Sequence, residues 1–174
     1  MIRDEFGHRL DIKRIGDGER VDLTADEAER TQIATRLGLL SLGRLDAHAT
    51  LIREGKGVRA RGRVRATLEQ SCAATGAPVA EHVDEPFELV FLPAPLDGRH
   101  DEEVELAAVD CDVVFYDGAS IDLGTAIADT LALSIEPYPR SAEADMALKE
   151  AGVLSEAEAG PFAALAKLRK SDAS

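Results

Sequence analysis

The clearest alternation of hydrophobic and polar positions lies between Val58 and Leu68. The even-numbered residues of this stretch are apolar or small, whereas positions 59, 61, 63 and 65 are all arginine. A period of two residues is that of a β-strand, in which successive side chains point to opposite faces. The pattern therefore predicts a strand with one apolar face and one basic face. The basic face, called the arginine row below, consists of Arg59, Arg61, Arg63 and Arg65.

Weaker alternation predicts further strands. One covers residues 8–15, and another covers residues 45–52 and is joined to the arginine-bearing strand by a turn at Gly55-Lys56-Gly57. Residues 79–92 and 111–116 predict two more. Because strands that follow one another in the chain usually pair as neighbours, we expect an antiparallel sheet.

Apolar residues spaced by three and four predict a first helix over residues 25–39. Thr24, followed three residues later by Glu27, has the sequence of a reciprocal capping box at its start, and Gly38 marks its end.

A second helix is predicted after residue 120. Ser120 or Asp122 can cap its first turn, and Pro137 and Pro139 stop it, since proline cannot continue a helix. The alanine-rich tail predicts two short helices, over residues 142–151 and 155–169.

Together these elements predict the α+β class: an antiparallel β-sheet with two inserted helices and a helical C-terminal tail. Partial curling of the sheet into a barrel is an open alternative. We expect residues 1–141 to form a single α+β domain and residues 142–174 to form an alanine-rich tail that is helical or partly flexible.

The charge of the chain changes the interpretation of the arginine row. The sequence contains 33 acids and 20 bases, for a net charge of −13, so the chain as a whole repels nucleic acid. Any phosphate-binding surface must therefore be local. One interpretation is that the arginines bind the phosphates of a structured RNA. The other is that they form cross-strand ion pairs with Glu81, Glu85 or other acids.

A second candidate surface is acidic. Residues 97–117 contain eight acids and one arginine, a net charge of −7. Such a segment suits a basic protein partner. Arg140, just after the rigid proline pair, is a candidate for display to a partner. The candidate partner-binding residues are Asp101, Glu102, Glu103 and Arg140.

Patterns typical of catalysis are missing from the sequence. The four histidines are scattered, and no phosphate-binding loop, nucleophile elbow or dinucleotide fingerprint occurs. The two cysteines, Cys72 and Cys111, have no neighbours at metal-ligand spacing and are expected to be separate, packed thiols. We therefore expect a non-enzymatic protein without cofactor, metal or small-molecule substrate. With no bilayer-length apolar run and no signal peptide, the expected location is the cytoplasm.

Two blocks of sequence resemble a known family. The first runs from Gly62-Arg63-Val64-Arg65 to Cys72-Ala73-Ala74-Thr75, and the second comprises Ile121-Asp122-Leu123-Gly124 and Pro137-Tyr138-Pro139-Arg140. In this order they resemble the YceD family of bacterial large ribosomal RNA accumulation proteins.

The resemblance implies a non-catalytic factor that supports synthesis, processing or accumulation of large-subunit (23S) ribosomal RNA. It also implies contact with precursor RNA, a ribosomal protein or an assembly factor; an acidic adaptor or chaperone for a basic ribosomal protein is the alternative. Family members often carry C-x-x-C in the first block. Here Thr75 takes the place of the second cysteine, so a metal or redox role is not expected.

Overall fold

The computed structural model of the protein describes residues 6–94 and 112–153. The chain groups into two compact units. The first comprises Met1–Gln70 and Ala80–Glu136, and the second comprises Ser71–Val79 and Pro137–Ser174. No helix within the described ranges has the length and apolar character needed to cross a bilayer. The predicted domain boundary at residue 141 stays a prediction.

The described residues form seven strands and three α-helices, and a single turn of 3-10 helix, Ile12–Arg14, follows the first strand. In chain order the elements are β1 (Arg9–Asp11), β2 (Glu19–Thr24), α1 (Glu27–Leu37), β3 (Ser41–Glu54), β4 (Gly57–Ser71), β5 (Pro78–Pro93), β6 (Asp112–Tyr116), β7 (Ser120–Asp122), α2 (Leu123–Ser134) and α3 (Ala144–Glu150).

Five strands form the main sheet, in the order β2-β3-β4-β5-β6, and β1 pairs with β7 in a separate two-stranded sheet. The α+β class is thus confirmed, with α1 and α2 as the two inserted helices. Within the described residues neither sheet closes into a barrel, and the partial curling stays a prediction.

One pairing differs from the expected antiparallel arrangement. The β1–β7, β2–β3 and β3–β4 pairs are antiparallel, but β6 lies parallel to β5, with Leu89 opposite Asp112 and Pro93 opposite Tyr116. The prediction failed here because residues 94–111 separate the two strands. A connection of that length permits a crossover, whereas a tight hairpin would have forced antiparallel pairing.

Strands β3 and β4 form a long hairpin, and its period-two pattern is confirmed. Gly55 occupies the turn with φ of 60°, a conformation that glycine adopts without strain. The register then runs from Glu54 opposite Gly57 to Ser41 opposite Glu69, with one irregularity between Leu42 and Arg44. Both strands extend several residues beyond the predicted ranges, because the pairing continues where the hydrophobic alternation weakens.

Helix α1 begins later than predicted. Its N-cap is Asp26, whose carboxylate accepts the Glu29 N–H at 2.8 Å, while the Glu29 carboxylate accepts the Asp26 N–H at 2.8 Å. The capping box predicted at Thr24 and Glu27 is therefore wrong. Thr24 is still part of β2, opposite Asp46, so its backbone is extended by sheet pairing and does not enter the helix. Gly38 ends the helix as predicted, with φ of 68°.

The segment before α2 contains a strand that the sequence pattern did not predict. β7 is three residues long and pairs with β1, which is itself shorter than the predicted strand over residues 8–15. Asp122, not Ser120, caps α2 by accepting the Thr125 N–H at 3.0 Å. The helix ends at Ser134, before Pro137 as predicted.

Helices α1 and α2 and the main sheet contribute their apolar sides to one core. The α2 residues Leu123, Ile127 and Leu131 are fully buried, as are Phe91 of β5 and Ile33 of α1. All five belong to the same hydrophobic cluster. Removing so much apolar surface from water is the main stabilising term of this unit.

In the second unit, the described residues include α3, within the helix predicted over residues 142–151. The helix predicted over residues 155–169 lies outside the described residues.

Candidate nucleic-acid interface

The arginine row lies on the outer face of the main sheet, opposite the core. The even-numbered residues Val58, Ala60 and Val64 of β4 are buried, so the odd-numbered arginines between them point outward. Across the strand pair, Arg63 lies opposite His48 and Arg65 opposite Asp46. The predicted division of β4 into an apolar face and a basic face is therefore confirmed.

Arg59 is the one member of the row that is largely covered, with 16% of its side chain exposed. Its Nε and Nη2 donate to the Glu54 carboxylate, each at 2.7 Å, and its Nη1 donates to Glu88. All three nitrogens of the guanidinium are thus engaged. Arg59 belongs to the framework of the sheet.

Arg61 shares Glu88 with Arg59 but remains open to solvent. Its Nε and Nη2 lie 2.9 Å from the two oxygens of the Glu88 carboxylate, a bidentate arrangement, and 56% of its side chain is exposed. The edge of the guanidinium that carries Nη1 makes no hydrogen bond within the described ranges.

Asp84 holds the next two arginines. Arg63 donates from Nε to the Asp84 carboxylate at 2.6 Å and from Nη2 to the Asp84 carbonyl at 3.0 Å. The Nε of Arg65 lies 3.4 Å from the other carboxylate oxygen. Arg65 is 54% exposed, and its two terminal nitrogens make no hydrogen bond in the part of the chain that the structure describes.

The arginines do form ion pairs with acids, as one of the two interpretations expected. The acids are Glu54, Asp84 and Glu88. The expected partners, Glu81 and Glu85, are odd-numbered residues of β5. Glu81 instead accepts hydrogen bonds from the Gln70 side chain and the Glu136 N–H. The alternation along β5 would have identified the correct acids. The odd-numbered residues Val83, Phe87 and Leu89 are buried and face the core, so the acids on the outer side, which face the arginines, must be even-numbered.

Two further arginines on neighbouring strands extend the basic surface, and the sequence pattern did not reveal them. Arg20 of β2 and Arg44 of β3 line a depression of about 320 Å³ together with Arg63, Arg65 and His48. Each is accompanied by an aspartate two residues later on its own strand. The only signal in the sequence was a short alternation around each arginine, because Arg20 and Arg44 have no second arginine two residues away on their strands.

We call the outer surface of β2–β5 the arginine face. Its charged side chains are balanced, six arginines against six carboxylates. The rest of the chain, with 14 bases and 27 acids, carries −13, so this face is less negative than the rest of the chain taken together. The members are Arg20, Arg44, Arg59, Arg61, Arg63 and Arg65, with Asp22, Asp46, Glu54, Glu69, Asp84 and Glu88.

The arginines keep these carboxylates charged. Hydrogen bonding from Arg63 lowers the pKa of Asp84, that from Arg61 lowers the pKa of Glu88, and that from Arg59 lowers the pKa of Glu54, with burial opposing each shift. The face therefore presents fixed cations and fixed anions side by side at neutral pH.

The candidate partner-binding residues lie apart from the arginine face in the sequence. Three of them, Asp101, Glu102 and Glu103, are outside the described residues. Arg140, in the second unit, is 60% exposed, and its Nη1 lies 3.3 Å from the Asp145 carboxylate.

Cys72 in the second unit is a free, buried cysteine, as expected, but its surroundings are polar. The Ser141 N–H donates to its sulfur at 3.2 Å. Hydrogen bonds from the Thr75 hydroxyl and then from Ser141 stabilise the thiolate and lower the pKa of Cys72 to about 6, although burial opposes the shift. No cluster of histidine, cysteine and acidic side chains suited to a metal occurs in residues 6–94 and 112–153.

Comparison with known proteins identifies a family. Residues 60–169 match the family model described as large ribosomal RNA subunit accumulation protein YceD, which covers more than half of the chain and includes Arg61, Arg63, Arg65 and Asp84. No curated protein and no solved structure matched. The family description names an effect on ribosomal RNA and no reaction. The chain belongs to the YceD family, and its role concerns accumulation of large-subunit ribosomal RNA.

Proposed function

We propose that this protein supports accumulation of large-subunit ribosomal RNA by binding the backbone of its precursor through the arginine face. The observation that carries the proposal is the arrangement of Arg61, Arg63 and Arg65. Each is held on one side by Asp84 or Glu88, and each side chain is at least 41% exposed. Unengaged N–H groups therefore remain available to phosphate oxygens.

The ion pairs favour this role by holding the guanidinium groups in position. A free arginine loses much rotamer entropy when it binds, whereas a guanidinium already held by a carboxylate loses less. Residues two apart on a strand are separated by about 7 Å, so Arg61, Arg63 and Arg65 present three evenly spaced donors. A regular phosphate backbone offers acceptors in a similar row.

The charge distribution sets the orientation of binding. The arginine face carries no net charge and the rest of the chain carries −13. The rest of the chain taken together repels RNA, so encounters through the arginine face are favoured. The lack of a net positive charge also predicts moderate affinity, with neighbouring contacts needed for stable attachment.

The test is ultraviolet crosslinking of the tagged protein in growing cells, with sequencing of the bound RNA and proteomics of the same sample. We expect enrichment of large-subunit precursor RNA that is lost when Arg61, Arg63 and Arg65 are replaced together by glutamine. Arg53→Gln is the control, because Arg53 is exposed at the end of β3 and makes no ion pair within the described residues.

Salt dependence gives a second measurement. Loss of three phosphate contacts should flatten the slope of log K against log salt by about 2 to 3. If the triple variant and Arg53→Gln give the same slope as the unaltered protein, the arginine face does not bind RNA.

A second candidate function is that of an acidic adaptor for a basic ribosomal protein, favoured by the charge of −7 over residues 97–117. It predicts recovery of ribosomal proteins without crosslinked RNA, and loss of that recovery when Asp101, Glu102 and Glu103 are replaced by asparagine or glutamine. Arg140→Gln would test the fourth candidate residue in the same assay.

A further inference from the structure

The arginine face alternates hydrogen-bond donors and acceptors. Asp84 lies between Arg63 and Arg65, Glu88 joins Arg59 and Arg61, and the same alternation recurs on the neighbouring strands. On β2 and β3 the pairs are Arg20 with Asp22 and Arg44 with Asp46. On a surface that served only to bind phosphate, the carboxylates would hold the arginines in position but each of them would also repel the ligand.

A carboxylate accepts hydrogen bonds and donates none. In a nucleic-acid backbone the phosphate oxygens also only accept, so the carboxylates find no partner there. The 2′-hydroxyl of ribose can donate, and DNA lacks it. Alternating guanidinium and carboxylate groups therefore match alternating phosphate and 2′-hydroxyl groups.

The surface extends in two directions. Along β4 the arginines repeat about every 7 Å, and from β2 to β4 the strands span about 10 Å. Arg20 and Arg44 thus lie to one side of Arg63 and Arg65, across the depression that they share. A single strand follows one line, whereas the wide, shallow minor groove of duplex RNA presents two backbones side by side.

Large stacking platforms are missing from this surface. Among the described residues of β2, β3, β4 and β5 the only phenylalanine, tyrosine or tryptophan rings are Phe87 and Phe91, and both are buried in the core. The rings on the outer side are the small imidazoles of His48 and His82. Binding of unstacked single strands relies largely on aromatic rings, so this surface is better suited to bases that remain paired.

We propose that the arginine face binds the minor groove of duplex RNA, with guanidinium groups on phosphates and carboxylates on 2′-hydroxyls. This inference rests on the RNA-binding function proposed above and specifies its ligand. It gives Asp84 and Glu88 a direct part in recognition, in addition to holding the arginines in position.

The experiment uses the full chain and four labelled probes in a fluorescence polarisation assay. They are an RNA hairpin of about 16 base pairs, which is the span of a typical duplex-RNA module, the DNA hairpin of the same sequence, the 2′-O-methyl RNA hairpin, and an unpaired RNA strand of the same length. We expect the RNA hairpin to bind at least about tenfold more tightly than the other three. The methylated duplex is decisive, because it keeps the RNA helix but has lost the 2′-hydroxyl donor.

A pair of protein variants tests the carboxylates. Asp84→Asn should bind the DNA hairpin more tightly and reduce the preference for RNA over DNA by about threefold or more, because one acceptor and one repulsive charge are lost. Glu85→Gln removes the same charge from the adjacent position, outside the ion-pair network, and should leave the preference unchanged.

The outcomes separate the two proposals. Equal binding of the RNA, methylated RNA and DNA duplexes would overturn the duplex-RNA inference and leave backbone binding intact, as would tighter binding of the unpaired strand. No binding of any probe at low salt would overturn both. If Asp84→Asn does not fold, the comparison of methylated and unmethylated duplexes still decides the question, since it needs only the unaltered protein.

Discussion

The four side chains of the arginine row have the same chemistry but two different environments. Arg59 is 16% exposed and bonds to two carboxylates, whereas Arg65 is 54% exposed and has one partner at 3.4 Å. A covered ion pair leaves an uncompensated charge when one partner is removed, while an exposed pair contributes little to stability. Arg59 and Arg65 should therefore separate structural from binding effects.

We predict that Arg59→Met lowers the free energy of unfolding by about 1 to 2 kcal/mol, since Glu54 and Glu88 lose their shared donor. Arg65→Met should change it by less than about 0.5 kcal/mol. Urea denaturation of the two variants measures both values. If both variants lose the same free energy of unfolding, Arg59 and Arg65 contribute equally to stability, and their different exposure has no effect on it.

The Thr75 hydroxyl should lower the pKa of Cys72, which is the buried thiol within the described residues. That hydroxyl is the main cause of the low pKa of Cys72, about 6. In a Cys111→Ser background, Thr75→Val should raise the pKa of Cys72 towards its ordinary value of 9.0, as followed by ultraviolet absorbance of the thiolate. Thr50→Val on β3 is the control and should leave the titration where it was. An unchanged titration in Thr75→Val would exclude the hydroxyl as the cause.

At the scale of elements, the β3–β4 hairpin depends on a glycine. A Cβ added at Gly62 would lie 1.8 Å from the His48 carbonyl oxygen and 2.9 Å from the Phe87 ring. Neither contact is possible without moving backbone, so the close approach of β3 to β4 requires that position 62 have no side chain.

We therefore expect Gly62→Ala to destabilise the protein by about 3 kcal/mol or more, an overpacking cost at the upper end of its range. Gly16→Ala is the matched control, because the nearest atoms to its added Cβ belong to Glu19 and lie at 3.8 and 3.9 Å, an ordinary contact distance. Thermal unfolding of both variants tests this. Similar melting temperatures would show that the sheet can adjust at position 62.

Two capping boxes fit the sequence at the start of α1, Thr24 with Glu27 and Asp26 with Glu29, and substitution of each N-cap residue tests which one forms. Asp26→Ala removes the acceptor for the Glu29 N–H and should cost about 1 kcal/mol. Thr24→Ala, at the cap predicted from the sequence, should cost clearly less, since Thr24 is an exposed residue of β2. A larger loss in Thr24→Ala would restore the original assignment.

At the scale of the whole molecule, stability should depend on pH through the arginine face. Glu54, Asp84 and Glu88 have pKa values below the ordinary 4.5 for glutamate and 3.8 for aspartate, because arginines stabilise their charged forms. A carboxyl with a lowered pKa in the folded state takes up protons more readily when unfolded. Its contribution is therefore complete above the ordinary pKa and is lost as the pH falls towards the folded-state value.

The free energy of unfolding should accordingly be level from pH 7 to about pH 5 and fall below about pH 4.5. Glu88→Gln should reduce this fall, because it removes one of the linked groups, and Glu85→Gln should not. Guanidinium denaturation at a series of pH values gives the curve. A fall of equal size in both variants would show that the decline comes from the acids in general.

Much of the molecule could be predicted from local pattern, and the failures have specific causes. The outward direction of the arginine row follows from period two, and the end of α1 follows from Gly38. The three-residue strand β7 and the parallel direction of β6 could not be predicted, since both depend on partners far away in the chain. Arg20 and Arg44 join the face only through the register of β2 and β3, which a linear pattern does not specify.

The pairing of β1 with β7 has a consequence for synthesis of the chain. Arg9–Asp11 and their partners Ser120–Asp122 are separated by about 110 residues, so at 5 to 20 residues per second β1 waits on the order of ten seconds for its partner to be translated. The strands that carry the arginine face, β2 to β5, are complete well before that. A nascent chain could thus present its basic surface on a translating ribosome before the final strand pairing is made.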